Sequence, residues 1–157
     1  MIRLPRTIKM VITDFDGIVT DNCVYIDENG NMSRKINFKD VMGFSILHKN
    51  GYKLCIVSGE KNKAIDIIAE KFKIENYQDI RNKLEIVEKV ISNHGLSDEE
   101  WVYLGDDIND YDTLCRAKYA ITVPDAVKKI REIPNIQITE AHSGCGVLRE
   151  VADALVD

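Results

Sequence analysis

The feature that most limits the fold of this chain is a short apolar run that ends in two aspartates. The run spans residues 10–12, and Asp14, Asp16 and Gly17 follow it closely. An apolar run of this length, bounded by turn residues, is typical of a strand buried inside a sheet. Glycine then lets the chain turn sharply. Because two like charges at a strand end repel, a fold keeps both only where a cation or a proton relieves the repulsion.

A second segment of the same kind occurs later in the chain. Residues 101–104 form another apolar run, and these residues follow it: Gly105, Asp106, Asp107, Asn109 and Asp110. If the two strands are neighbours in a parallel sheet, Asp14, Asp16 and Asp106 meet at the edge where open α/β sheets bind ligands. Mg²⁺ fits such a point best, because it binds through a few carboxylates while keeping water and substrate oxygens. A plain Asp-Gly turn or a solvated acidic loop is the alternative.

The rest of the chain alternates between short apolar runs and longer helical patterns. We expect further strands at 53–57, near 77 and near 119–123, and helices at 40–50, 61–72, 83–93, after 110, from 125 and from about 147. Connections of this length imply a parallel sheet with right-handed crossovers. Asp40 is placed to cap the first helix. Asn29-Gly30 predicts a hairpin within residues 22–38, because Asn-Gly favours the tight turns that join two strands.

The composition fits one ordinary globular domain covering residues 1–157. Hydrophobic residues make up 45% of the chain and charged residues 30%, which is normal for such a domain. No apolar run is long enough to span a membrane, and residues 1–6 lack the apolar stretch of a signal peptide. The net charge of −5 argues against a nucleic-acid surface. We therefore expect a cytoplasmic protein without a nucleic-acid or membrane partner.

Four segments of the chain, taken in order, resemble the motifs of the haloacid dehalogenase superfamily of aspartate-nucleophile phosphatases. The first spans residues 14–21, the second is Ser58-Gly59, the third is Lys83, and the fourth spans residues 105–110. The first and fourth are specific, whereas a lone Ser-Gly or a lone lysine gains meaning only from its place in the series. The resemblance covers nearly the whole chain and implies a Rossmann-like α/β fold, in which helices flank a parallel sheet.

The resemblance also implies a mechanism. Asp14 is expected to attack the phosphorus of a phosphate ester and to become an aspartyl-phosphate. Asp16 is expected to protonate the leaving alkoxide and then to deprotonate the water that opens the intermediate. Lys83 is expected to hold the nucleophile and the phosphoryl oxygens, and Ser58 to donate a hydrogen bond to those oxygens.

The metal ligands implied by the resemblance come from both acidic strand ends. Mg²⁺ is expected to be bound by the side chains of Asp14 and Asp106 and by the backbone carbonyl of Asp16. The ion would lower the repulsion between carboxylate and phosphate. A set of neighbouring polar residues is expected to orient the ion and its waters: Asp107, Asn109 and Asp110.

The spacing of the motifs leaves no room for a cap domain. Only the hairpin lies between the first and second motifs, and only one helix and a short strand lie between the second and third. The chain therefore resembles the capless sugar-acid phosphatases, whose substrates are octulosonate and nononate phosphates. The glycine-rich tail at residues 143–150 extends the resemblance. In that group the hairpin drives tetramer formation, so we expect a homotetramer in which neighbouring subunits close the site.

Two departures from the octulosonate pattern bear on the sugar. The octulosonate enzymes carry arginine after the second-motif glycine, whereas this chain has Glu60, which together with Lys71 resembles the nononate enzymes. Glutamate accepts hydrogen bonds from the hydroxyls of a longer polyol, whereas arginine favours a carboxylate. Against this, Ile68 replaces a basic residue that both groups tend to carry on that helix, which leaves one expected carboxylate contact missing. Cys145 stands where the octulosonate enzymes have arginine. We therefore favour a nine-carbon or similar phosphorylated sugar acid as substrate, with Glu60 and Lys71 as ordinary surface charges being the alternative.

The substrate-contacting positions implied by the resemblance come from several segments: Asp16, Asn37, Lys39, Asp40, Gly59, Glu60, Lys71 and Lys83. Three other functions stay open beside this one. A receiver domain would lack the Asp-x-Asp pair on its first strand. A non-catalytic oligomerisation module of sugar-nucleotide metabolism would not need Asp14, Asp16, Lys83 and Asp106 together. A phosphatase of another small phosphorylated sugar is the third.

Overall fold

Eight strands, six α-helices and one short 3₁₀ helix (Ile108–Asp110) make up the computed structural model, which describes residues 1–156. The strands are β1 (Met10–Thr13), β2 (Tyr25–Ile26), β3 (Met32–Ser33), β4 (Lys53–Val57), β5 (Glu75–Tyr77), β6 (Trp101–Leu104), β7 (Tyr119–Thr122) and β8 (Gln137–Ile138). The helices are α1 (Phe38–Lys49), α2 (Lys63–Phe72), α3 (Lys83–Asn93), α4 (Tyr111–Arg116), α5 (Lys128–Arg131) and α6 (Val147–Val156). No helix within residues 1–156 is both long and apolar enough to cross a membrane.

Six of the strands form one parallel sheet in the order β5-β4-β1-β6-β7-β8. Strands β1 and β6 are buried along their whole length, which explains their unbroken apolar runs, since a sheet covered by helices on both faces needs no polar side. The predicted Rossmann-like α/β fold is confirmed. Sequence patterns missed β8, because two residues at the edge of a sheet are too short to show a periodicity.

The register of the sheet brings three strand ends together. In β1, Thr13 lies beside Ile56 of β4 and beside Leu104 of β6. Because all three strands run the same way, the residues that follow them leave the sheet at one edge. The acidic segments after β1 and β6 are therefore neighbours, as the sequence pattern predicted.

The hairpin is present after the first strand. Strands β2 and β3 pair antiparallel, separately from the main sheet. The turn between them is held by Asp27, whose carboxylate accepts hydrogen bonds from the backbone of Asn29 and Asn31. The predicted hairpin insertion without a cap domain matches this arrangement.

Helix α1 begins two residues earlier than predicted, and its cap is Asn37. The Asn37 side chain accepts a hydrogen bond from the backbone N–H of Lys39 at 2.9 Å. The prediction that Asp40 caps this helix is wrong, because Asp40 is fully buried and caps α6 instead. Its carboxylate accepts hydrogen bonds from the backbone of Gly146 at 2.9 Å and of Leu148 at 2.8 Å.

The C-terminal segment is thereby attached to the first half of the chain at two places. Helix α6 packs on α1 so closely that a Cβ on Gly43 would lie 2.4 Å from the backbone of Leu148. Just before α6, the N–H of Gly144 donates to the carbonyl of Ile18, in the loop that follows β1, at 3.1 Å. The last helix therefore supports the first acidic loop.

Replacing Asp40 by alanine is expected to lower the free energy of unfolding by about 2–4 kcal/mol, because two buried N–H groups lose their acceptor. Burial raises the pKa of Asp40 to about 6, so urea unfolding is measured above pH 7, where the carboxylate is ionised. The control is Asp112→Ala, an exposed aspartate in the first turn of α4, which should cost no more than about 0.5 kcal/mol. Equal losses in the two variants would contradict the role of Asp40.

Candidate active site

Three carboxylates from the two acidic segments meet at the edge of the sheet where β1 and β6 end. One oxygen each from Asp14, Asp106 and Asp110 lies within 4.8 Å of the others, and all three residues are buried. The structure thus brings Asp14 and Asp106 together as the strand pattern indicated. Asp110, which was predicted to orient the ion and its waters, is part of the same cluster.

A buried lysine holds two of these carboxylates. The Nζ atom of Lys83 lies 2.9 Å from Oδ2 of Asp14 and 2.8 Å from Oδ1 of Asp110, and its side chain is fully buried. Burial acts to lower the pKa of Lys83, but the two aspartates act against it, and the net pKa is raised. Lys83 is therefore a charged group inside the site and not a solvated lysine on a helix surface.

Both carboxylate oxygens of Asp110 accept hydrogen bonds from the residues around it. Its Oδ1 accepts from Lys83 and from the hydroxyl of Tyr103 at 2.7 Å. Its Oδ2 accepts from the backbone N–H groups of Asp106 at 3.1 Å and Asp107 at 3.3 Å. Because both oxygens are used, Asp110 positions Lys83 and the loop after β6.

Asp106 differs from its neighbours because one of its oxygens has no partner. It is 3% exposed, and its Oδ1 accepts no hydrogen bond within the described chain. Its Oδ2 accepts from the side chain of Asn22 at 3.3 Å. Gly17 leaves room for this carboxylate, since a Cβ there would lie 2.0 Å from Oδ2.

The pKa values of the two strand-end aspartates report how unfavourable their charges are. Burial, followed by the charge of Asp110, raises the pKa of Asp106 to about 7. The same two causes raise the pKa of Asp14 well above its usual value, although Lys83 opposes them. A divalent cation bound by Asp14 and Asp106 would offset the unfavourable burial of their charges, and the unpartnered oxygen of Asp106 would become one of its ligands. The residues present therefore fit a hard cation with oxygen ligands.

Asp16 points to the same site but has partners of its own. Its Oδ1 accepts from Nε of Arg34 at 2.9 Å and from the hydroxyl of Thr20 at 3.0 Å. Arg34 follows β3, so the returning arm of the hairpin contacts the Asp16 side chain. Nothing in the sequence pointed to Arg34, which lies far from the motifs along the chain.

A cavity of about 610 Å³ opens over these residues, a volume in the usual range for small-molecule sites. Predicted residues form most of its lining: Asp14, Asp16, Ser58, Gly59, Glu60, Asp106, Asp107 and Asn109. Four residues were not predicted: Asn22, Ile80, Arg81 and Ile108. Asn22 follows the first motif and Arg81 stands two residues before Lys83, so adjacency to the motifs was the signal that could have found them.

Ser58 is fixed by its backbone and keeps its hydroxyl proton free to donate within the cavity. Its N–H donates to the carbonyl of Tyr77, and its carbonyl accepts from Ile80. Its Oγ accepts from the N–H of Glu60 at 3.2 Å. Next to it, a Cβ on Gly59 would lie 3.1 Å from the side-chain amide of Asn109, so this part of the wall is tightly packed.

Five positions predicted to contact the substrate are not among the residues that line this cavity in their own chain. One of them, Lys83, lies next to the cavity in contact with Asp14. Asn37 and Asp40 cap helices, as described above. Lys39 lines a second cavity of about 810 Å³ beside Cys145. Lys71 lies at the C-terminal end of α2, where its Nζ is 5.5 Å from the centre of the Phe72 ring. Because α2 runs away from the acidic edge of the sheet, its last turn is at the far side of the fold.

Ile68, on the same helix, was predicted to mark a missing basic contact. Its side chain is buried in the core and only 5% exposed. An apolar residue fits this position, and the expected loss of a carboxylate contact stays a prediction.

Comparisons with known proteins identify the family of the chain. The haloacid dehalogenase-like hydrolase family matches residues 74–151. The 3-deoxy-D-manno-octulosonate 8-phosphate phosphatase of Salmonella typhi is 28% identical over 153 residues, which are 96% of this chain and 80% of that protein.

Solved structures extend the likeness to the whole fold. A probable YrbI family phosphatase from Pseudomonas syringae is 30% identical with a TM-score of 0.90, over 96% of this chain and 86% of that one. The octulosonate 8-phosphate phosphatase of Moraxella catarrhalis, solved with magnesium, phosphate and KDO, is 26% identical with a TM-score of 0.90, over 96% and 87% of the two chains. This chain therefore belongs to the haloacid dehalogenase-like hydrolases, and it is a phosphoric monoester hydrolase of the type that lacks a cap domain.

Proposed function

We propose that this enzyme is a Mg²⁺-dependent phosphatase that hydrolyses the phosphate ester of a keto-deoxy sugar acid through an aspartyl-phosphate on Asp14. The observation that carries this proposal is the placement of Asp14 at the cavity. One of its oxygens accepts from the N–H of Phe15 at 2.6 Å, and the other faces Lys83. The relatives that act on octulosonate 8-phosphate support the substrate class.

The side chains of Asp14 and Asp106 and the carbonyl of Asp16 would hold the metal. When bound, Mg²⁺ supplies positive charge that offsets the repulsion between the carboxylates and the phosphate. The unpartnered oxygen of Asp106 supports this assignment. Asp107, which caps the short helix Ile108–Asp110 through its own side chain, and Asn109 would orient this loop.

In the first step, a carboxylate oxygen of Asp14 forms a bond to phosphorus while the bond from phosphorus to the ester oxygen breaks. Asp16, protonated at this stage, gives its proton to the leaving alkoxide. Lys83 and the Ser58 hydroxyl hold the oxygens of the transferred group. In the second step, Asp16 takes a proton from water, which attacks phosphorus and breaks its bond to Asp14. Inorganic phosphate leaves, and both aspartates regain their starting states.

The eight-carbon and nine-carbon sugar acids are both candidates within this class. Glu60 lines the cavity, which supports the longer polyol, because its carboxylate accepts hydrogen bonds from hydroxyl groups. Lys71 adds no support within one chain. An assembly module without activity fits the site poorly, since such a module needs no buried lysine between two aspartates.

The expected location in the cytoplasm and the single domain over residues 1–157 stay predictions of this proposal.

We expect Asp14→Asn to reduce kcat/KM for octulosonate 8-phosphate by at least about 10³-fold, because the amide cannot act as the nucleophile. Phosphate release measures this change, and circular dichroism confirms that the variant folds. The exposed Asp112→Asn serves as the charge-matched control and should keep wild-type turnover. Turnover of Asp14→Asn within tenfold of the wild type would rule out the nucleophile assignment.

The binding of Mg²⁺ is expected to depend on pH, because it competes with the proton on Asp106. Without a cation, the raised pKa of Asp106 makes the free energy of unfolding fall as the pH rises from roughly 4 to 7. Above pH 7 the ionised carboxylate binds the metal, whereas below about pH 7 the apparent affinity falls about tenfold per pH unit. Thermal melts should therefore show a larger magnesium-induced rise in Tm at pH 8 than at pH 5.5. Asp106→Asn should abolish the rise, and equal rises at the two pH values would contradict the metal site.

The proposed oligomer is a homotetramer assembled through the hairpin. Apolar side chains on and near the hairpin are exposed, among them Ile26 at 63%, Met32 at 63% and Phe38 at 87%. Such a surface fits association better than a free flap, since an isolated hairpin is marginally stable in water. Native mass spectrometry should give a tetramer that Ile26→Asp shifts to smaller species, while Ile67→Asp, an equally exposed isoleucine on α2, leaves it intact. A monomeric wild type would overturn this proposal.

A further inference from the structure

We propose that Arg81 binds a carboxylate of the substrate and so selects phosphorylated sugar acids over neutral sugar phosphates. This inference rests on the proposed function, because it assigns a residue to the second anionic group of the substrate. No motif of the sequence predicted Arg81, and it is the folded structure that places this residue at the cavity.

The charges around the cavity single out Arg81. Among the described residues that line it, one is a cation, Arg81, and these carry carboxylates: Asp14, Asp16, Glu60, Asp106 and Asp107. Two further cations lie beside the cavity and are already paired, Lys83 with Asp14 and Asp110, and Arg34 with Asp16. Arg81 takes part in none of the ion pairs within residues 1–156.

The backbone of Arg81 is fixed relative to the phosphate-binding residues. On one side, the N–H of Ile80 donates to the carbonyl of Ser58 at 3.1 Å. On the other side, Asn82 caps α3 by accepting from the N–H of Glu85 at 3.2 Å, and the buried Lys83 follows. The exposed Arg81 side chain therefore extends from a rigid point between two residues that hold the reacting group.

The chemistry of guanidinium explains what Arg81 selects. Its planar N–H groups match a carboxylate with two parallel hydrogen bonds, which a hydroxyl group cannot accept in the same way. The phosphate end of the substrate is served by Lys83, Ser58 and the metal ligands. A substrate whose only anionic group is its phosphate would leave Arg81 without a partner in the cavity.

Glu60 carries the opposite charge to Arg81 in the same cavity and therefore favours hydroxyl groups over carboxylates. A carboxylate of the substrate is repelled by Glu60 and attracted by Arg81, whereas hydroxyl groups donate to Glu60. One cation and one anion on the wall thus give a polyhydroxylated acid a single favourable orientation, with its acid group on Arg81 and its hydroxyls toward Glu60.

The test compares Arg81→Gln with the wild type on two esters that differ at one carbon, gluconate 6-phosphate and glucitol 6-phosphate, and on octulosonate 8-phosphate. We expect kcat/KM for both acids to fall by about 30-fold or more, mainly through KM, and kcat/KM for glucitol 6-phosphate to change by less than about threefold. Arg81→Lys, which keeps the charge but not the paired donors, should recover part of the loss. Lys49→Gln, at the exposed end of α1, removes the same charge outside the cavity and should leave kcat/KM unchanged for all three esters.

Two outcomes would overturn the inference. Equal losses on the acid and on the neutral ester would show that Arg81 acts on the phosphate or on folding. Unchanged kinetics on the acids would show that it does not contact the substrate. Both differ from a failure of the proposed function, in which the wild type would hydrolyse none of the three esters.

Discussion

The site depends on one buried ion-pair network, in which Lys83 lies between Asp14 and Asp110. These residues come from the end of β1, the start of α3 and the loop after β6, so the network joins three parts of the chain. None of these charges is tolerable alone in the interior, because an unpaired buried charge is strongly destabilising. Together they fix the lysine ammonium and the carboxylate of Asp14 in mutual contact at the base of the cavity.

The parts of the site that were predictable follow from the geometry of parallel sheets. Asp14 and Asp106 each follow an apolar run, and neighbouring parallel strands end at the same edge, so their meeting needed no knowledge of side-chain packing. Contacts that depend on tertiary packing were not predictable. Asp40 is a reasonable cap for α1 by position, and only the packing of α6 against α1 shows that it caps the later helix.

The same distinction explains the substrate-contacting residues. Lys71 was predicted because, together with Glu60, it resembles the nononate enzymes, but α2 carries its last turn away from the edge of the sheet where the acidic residues lie. Arg81 lies in an irregular segment without periodicity, and its direction is set by Ser58 and Asn82 on either side. Arg34 reaches Asp16 through the return of the hairpin, a path that no spacing along the sequence encodes.

The attachment of α6 to the loop after β1 has a consequence for biosynthesis. Gly144 and the start of α6, at the far end of the chain, contact Ile18 and Asp40, which are made first. During translation the acidic loop therefore lacks this support until residues 144–148 have left the ribosome, so the nascent chain should stay inactive until that point. Because these contacts join residues far apart along the chain, their formation carries a large loop-closure entropy cost, and the catalytic pocket gains its support only when the two segments meet.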